Sequence, residues 1–180
     1  MTKEVSILDK TFSLFISSDK IQNRVNEIAS DLNKRNNGQN PLFLAILNGS
    51  FIFASDLLKK ISFGCEISFI KLASYTGTTS SGKITTMIGL SESLKGKDII
   101  ILEDIIDTGR TMKILLEMIN DHNPGSISIV SLLLKKDALI EDIKPDYVGF
   151  EVPDKFLVGY GLDYNSFGRN LESIYILNEK

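Results

Sequence analysis

The chain has 180 residues, 43% hydrophobic and 24% charged, with 20 Lys and Arg against 23 Asp and Glu for a net charge of −3. That balance predicts one globular domain over residues 1–180 with a real core, and the scattered cations exclude the broad basic face by which nucleic acids are held. Cys65 is the only cysteine, which excludes an internal disulfide and a thiol zinc site. The N-terminus lacks an apolar leader and no run reaches the roughly 18 apolar residues of a membrane span, so a cytoplasmic setting without membrane or nucleic-acid partners is expected.

Ser17, Ser18 and Asp19 suit the start of a helix in which Ile21, Val25, Ile28 and Leu32 recur at helical spacing, and Asn36-Asn37-Gly38 closes it. Residues 42–47 form a short, continuously apolar run, the pattern of a strand buried on both faces. Asn48-Gly49-Ser50 then turns the chain into a helix reaching Lys60. A second strand is predicted over 66–73, a polar loop rich in Ser, Thr and Gly over 74–83, and a returning strand over 84–90. Residues 98–102 read as the central strand of a sheet, ending at carboxylates. Met112, Leu115, Leu116 and Ile119 give residues 111–120 a helical period, and Asn123-Pro124-Gly125 stops it ahead of a further buried strand over 126–134. Strands alternating with helices, joined by connections of about a dozen residues or more, predict an α/β fold with a central parallel twisted sheet covered by helices on both faces. From Tyr147 onward the pattern is less regular, and a small separate lobe is expected there.

The chemistry concentrates in one stretch, Ile99-Ile100-Ile101-Leu102-Glu103-Asp104-Ile105-Ile106-Asp107-Thr108-Gly109-Arg110-Thr111. A buried parallel strand delivers two adjacent carboxylates, Glu103 and Asp104, at its carboxyl end, where ligands of open α/β sheets collect. Asp107, Thr108, Gly109, Arg110 and Thr111 then wrap a helix N-terminus, whose unpaired N–H groups and dipole suit a dianionic phosphate. Like charges keep the acid pair off the phosphate itself, but the pair suits a sugar diol or a hydrated magnesium ion. The Gly-x-x-x-x-Gly-Lys pattern of a Walker A loop is absent, which argues against a nucleoside triphosphatase.

This stretch resembles the motif by which type I phosphoribosyltransferases bind phosphoribosyl pyrophosphate (PRPP). The likeness runs from about Leu44 to Arg169 and is closest to the hypoxanthine-guanine subgroup. It implies that Glu103 and Asp104 contact the ribose hydroxyls of PRPP and that residues 107–111 hold its 5′-phosphate, with Asp107 as the acid–base residue near N7 of the purine. Leu47-Asn48-Gly49-Ser50 resembles the family's pyrophosphate loop, in which a non-proline cis peptide presents a backbone N–H; Asn48 stands where many relatives carry Lys or Arg. Ser74 and Tyr75, with the loop to Lys83, resemble a flap that closes over PRPP. Lys135 matches the lysine that donates to the purine 6-oxo group. The segment 148–164 resembles a base-binding hood lobe, in which Phe156 stacks on the purine, the Leu157 backbone reads its edge and Asp163 helps to hold magnesium; Arg169 matches an arginine that reaches the pyrophosphate.

The implied activity is purine salvage: magnesium-dependent transfer of the phosphoribosyl group from PRPP to hypoxanthine or guanine, giving IMP or GMP and pyrophosphate, by a homodimer or homotetramer. An enzyme of the same fold preferring xanthine and guanine, and a nucleotide-sensing regulator built on that fold, are the alternatives.

Overall fold

The computed structural model describes residues 3–74, 84–88 and 93–178. Strands β1 (Glu4–Ile7) and β2 (Lys10–Ile16) form a hairpin, followed by α1 (Ser18–Arg35), β3 (Leu42–Leu47), α2 (Phe51–Leu58), β4 (Glu66–Ser74) and β5 (Ile84–Ile88). Next come β6 (Asp98–Ile106), α3 (Arg110–Asn120), β7 (Ser126–Leu134), β8 (Tyr147–Glu151), β9 (Leu157–Val158) and β10 (Ile174–Leu177). The main sheet has the order β5-β4-β3-β6-β7-β8. Its β4, β3, β6, β7 and β8 are mutually parallel, and β5 pairs antiparallel at one edge. The α/β fold with a central parallel sheet is therefore as expected.

Side-chain alternation on buried strands divides the core into two layers. On β3, Phe43 and Ala45 pack with Val25 and Ile28 of α1 and Phe53 and Leu57 of α2, while Leu42, Leu44 and Ile46 pack with Met112, Leu115 and Ile119 of α3. Each of these fully buried large side chains contributes about 1.5–3 kcal/mol relative to exposure. Ser17 starts α1 as its N-cap, its side chain accepting from the Lys20 N–H. Among the described residues no helix is long and apolar enough to cross a membrane.

Three expectations need correction. The central strand does not end at the carboxylates: β6 runs through Glu103 and Asp104 to Ile106, because its ladder with β7 continues, pairing Ile105 with Leu133 and Ile106 with Leu134. The second helix stops at Leu58, and residues 59–60 form a turn. The small lobe is not made from the tail alone. Residues 147–151 belong to the main sheet as β8, and the lobe is a second sheet, β1-β2-β10-β9, that borrows the N-terminal hairpin. Phe12, Val158 and Tyr175 form its own small core, while Leu157, Tyr160 and Ile174 join the main core and dock the hood onto the α1/α2 layer.

Candidate active site

Parallel pairing brings the carboxyl ends of β3, β6 and β7 side by side, and the sequence delivers a functional group at each. After β3 the Leu47–Asn48 peptide is cis, followed by the buried Gly49 and by Ser50, whose Oγ donates to the Ile46 carbonyl at 2.6 Å. The Asn48 side chain is exposed. Gly49 is required here by close approach: a Cβ at this position would lie 1.6 Å from Asp104 Oδ2. The loop that follows β3 and Asp104 of β6 therefore touch directly.

Glu103 and Asp104 are strongly shielded from water. Glu103 Oε2 is buried without a hydrogen-bond partner among the described residues. Burial, then the charge of Asp104 and a hydrogen bond with it, push the Glu103 carboxyl well above the usual carboxylate range. A proton on Glu103 gives the pair its missing donor. Burial raises Asp104 as well, opposed by its bond with Glu103, by backbone N–H groups and by the charge of Arg169. An acid whose pKa is raised on folding holds its proton more tightly in the folded chain. Stability therefore falls as pH rises from the ordinary value of 4.5 through the raised one. Glu103→Gln removes this loss, so the melting temperature of the unliganded variant should exceed wild type by a margin that grows as pH rises above about 4.5. A margin independent of pH would contradict the assignment of the proton to Glu103.

Beyond β6, Asp107, Thr108 and Gly109 lead into α3. Gly109 has φ 81°, the left-handed conformation that an L side chain resists, and so turns the chain sharply into the helix. The Thr108 carbonyl accepts from the N–H groups of Ile140 and Glu141 at 3.0 and 3.3 Å, which fixes the loop from behind. Glu103, Asp107, Thr108, Gly109 and Thr111 line a concavity of about 110 Å³ at the start of the helix. Arg110 is exposed.

Lys135 follows β7 with its backbone N–H donating to Ile106. Its Nζ, in a residue only 9% exposed, donates to Asp107 Oδ2 at 2.9 Å and to Asp154 Oδ1 at 3.1 Å. Burial opposes its charge, but the hydrogen bonds and charges of the two aspartates outweigh burial and raise its pKa, so it stays an ammonium. From the hood, Phe156 remains 45% exposed while Tyr164 meets it edge-on at 5.8 Å and Phe12 lies 6.3 Å away. Leu157 is buried beside it. Arg169 pairs with Asp163 Oδ1 at 2.6 Å and donates to the Gly161 carbonyl at 2.6 Å; Asp163 Oδ2 accepts from the Ser166 N–H.

The sites expected from the sequence thus fall into three groups at one end of the sheet. Gly49, Asp104, Asp163 and Arg169 surround the cis loop, Glu103 and residues 107–111 the phosphate-sized concavity, and Lys135, Asp107 and the hood ring of Phe156 the third. Ser74 closes β4 at the sheet edge, and Tyr75 with residues 76–83 lies outside the described residues. Sequence reasoning gave no role to Asp154, a counter-ion of Lys135, or to Gly161, which lies against Gly49. The glycines flanking Tyr160 were the available signal for the second.

Among the described residues no three His, Cys, Asp or Glu side chains gather to form a metal cage. Magnesium does not ask for one: it keeps waters and binds through one or two carboxylates together with substrate phosphates. Asp163, an oxygen donor on the rim of the site, fits that requirement.

Two acids near the carboxyl end of β6, a loop at a helix N-terminus and an aromatic hood are the parts that a transferase handling a phosphorylated sugar and a flat base requires. The profile of the phosphoribosyl transferase domain matches residues 17–165, and the chain belongs to this family. It is 42% identical to a hypoxanthine-guanine phosphoribosyltransferase of Lactococcus lactis over 172 residues, 94% of this chain and 93% of that protein. It is likewise 42% identical to the Bacillus subtilis protein of that name, over 91% of this chain and 92% of the other. The crystal structure of a hypoxanthine-guanine phosphoribosyltransferase from Bacillus anthracis superposes with a TM-score of 0.87 at 35% identity, covering 92% of this chain and 98% of the other.

Proposed function

We propose that this chain is a purine-salvage phosphoribosyltransferase that joins hypoxanthine or guanine to the ribose phosphate of PRPP, releasing pyrophosphate. The observation that carries the base assignment is the pair Lys135 Nζ and Asp107 Oδ2, a donor and an acceptor 2.9 Å apart. A 6-oxopurine presents O6 and N7 on one edge. The O6 oxygen accepts a hydrogen bond from the lysine ammonium, and a protonated N7 donates one to the aspartate.

In this account Glu103 and Asp104 hold the ribose diol, and Thr108, Gly109, Arg110 and Thr111 hold the 5′-phosphate at the positive end of α3. Backbone at Asn48 and Gly49 faces the pyrophosphate, with Arg169 as its counter-charge. Phe156 stacks on the purine, and the Leu157 backbone meets its remaining edge. Ser74 and Tyr75 are assigned to the closing flap on resemblance alone. A ring nitrogen of the purine forms the new bond to the anomeric carbon as the bond to pyrophosphate breaks. Asp107 receives the purine proton by general base catalysis, which contributes about 10²–10⁴-fold. Positive charge grows on the ribose beside the Asp104 carboxylate, and negative charge on the leaving group beside Arg169, so preorganised electrostatics stabilise both. Asp163 would hold magnesium, which would supply Lewis-acid neutralisation of the departing pyrophosphate.

The test is to incubate the protein with PRPP, hypoxanthine and magnesium. Nucleotide and pyrophosphate should accumulate in equal amounts. PRPP loss without nucleotide would overturn the reading, and unchanged rates with a chelator in place of magnesium would overturn the metal assignment.

A further inference from the structure

Three consecutive residues of the hood have positive φ: Gly159 at 101°, Tyr160 at 51° and Gly161 at 101°. A bulky residue in this region stays there only where its surroundings hold it. Tyr160 is 3% exposed, and its hydroxyl donates to Asp56 Oδ2 on α2 at 2.8 Å. Gln22 of α1 donates to the same oxygen at 2.7 Å, and Lys59 to Oδ1 at 3.2 Å. Burial opposes ionisation of Asp56, yet these three donors hold its carboxyl below the usual range. Tyr160 therefore hydrogen-bonds to a charged acceptor, the stronger kind of bond.

What Tyr160 anchors is the next residue. A Cβ on Gly161 would fall 2.0 Å from the Gly49 carbonyl oxygen, so the two backbones are in direct contact. The Gly161 carbonyl accepts from Arg169 Nη1 at 2.6 Å, and its N–H donates to the Arg169 carbonyl at 2.9 Å. Gly49 precedes Ser50, the N-cap of α2, the helix that carries Asp56. The Tyr160–Asp56 bond thus ties the hood turn to the same helix whose leading loop the turn presses on.

We propose that Tyr160, held by Asp56 and Gln22, is a positioning residue that sets the spacing between the cis loop at Gly49 and the guanidinium of Arg169, and so tunes the site for the pyrophosphate moiety. This rests on the function proposed above. It touches neither the base nor the ribose, so its effect is confined to one end of PRPP.

Tyr160→Phe keeps the ring and removes only the hydroxyl. The KM for PRPP should rise about tenfold and the dissociation constant of magnesium pyrophosphate by a similar factor, as loss of one hydrogen bond to a charged group predicts. The KM for hypoxanthine should change less than about twofold. Asp56→Asn added to Tyr160→Phe should cost little more than the worse single change, because both break one bond. Unchanged pyrophosphate affinity in Tyr160→Phe would overturn the proposal, as would a parallel rise in the KM for hypoxanthine, the mark of general loosening. The pyrophosphate titration needs no turnover. It decides the positioning role even if wild type fails to use PRPP, an outcome that counts against the proposed function instead.

Discussion

Gly49→Ala should lower kcat/KM for PRPP by at least about a hundredfold while leaving the chain folded. The added methyl group would stand 1.6 Å from Asp104 Oδ2 and 2.4 Å from its Cγ, so one of the two must move. Asp104 is 7% exposed, so its carboxylate is held among packed neighbours and does not swing aside freely. Overpacking of this kind costs about 1–3 kcal/mol, or a fall in melting temperature of roughly 2–10 °C for a chain of this size. The activity loss should be larger than the stability loss suggests, because a displacement near 1 Å at a positioned group costs about 10²-fold. Both partners belong to the site: the loop is assigned to pyrophosphate and the acid to the ribose diol. Steady-state kinetics with a thermal melt separate the two effects. A variant that melts several degrees lower yet uses PRPP like wild type would show that the contact between Gly49 and Asp104 is structural alone.

Lys135→Ala should have its main effect on the base. The ammonium is buried between Asp107 and Asp154, and its removal leaves the first of these without its cation and a 6-oxo group without its donor. Losing the partner of a buried polar group costs about 1–3 kcal/mol, and more where the group is charged. The efficiency with hypoxanthine should therefore fall by roughly 10²-fold, while the affinity for pyrophosphate, bound at the other end, stays near wild type. Discrimination against adenine should shrink in the same variant, because adenine never gained from the lysine. A fall in pyrophosphate affinity as large as the fall in hypoxanthine efficiency would place Lys135 among scaffold residues instead.

The main sheet was legible because β3, β6 and β7 are apolar on both faces, and such runs have few other places to go. The end of β6 was not. Glu103 and Asp104 look like a terminator when polarity alone marks strand ends, yet the backbone ladder with β7 is indifferent to side-chain charge and carries on to Ile106. The hood was half legible. Phe156, Asp163 and Arg169 could be placed by resemblance, but β2 finds its partner in β10, from Ile16 opposite Ile174 to Phe12 opposite Leu177, and pairing over such a separation leaves no local signal. The same holds for the contacts that give the site its shape. Gly49 reads as an ordinary turn residue until Asp104 and Gly161 arrive from distant parts of the chain, and Asp56 reads as a surface residue of α2 until Tyr160 reaches it.

Hypoxanthine and adenine, compared as acceptors for PRPP in the wild-type protein, separate base recognition at Lys135 from stacking alone. Hypoxanthine offers an oxygen to the Lys135 ammonium, whereas adenine offers an amino group, so donor meets donor. Its neighbouring ring nitrogen carries a lone pair where a 6-oxopurine carries a proton, a second mismatch at the backbone near Leu157. Stacking on Phe156 is similar for both bases and restores nothing. Two lost partners of about 1–3 kcal/mol each predict a catalytic efficiency at least roughly thirtyfold higher for hypoxanthine. An efficiency with adenine within about tenfold of hypoxanthine would rule this base recognition out, since the two mismatches together exceed that margin.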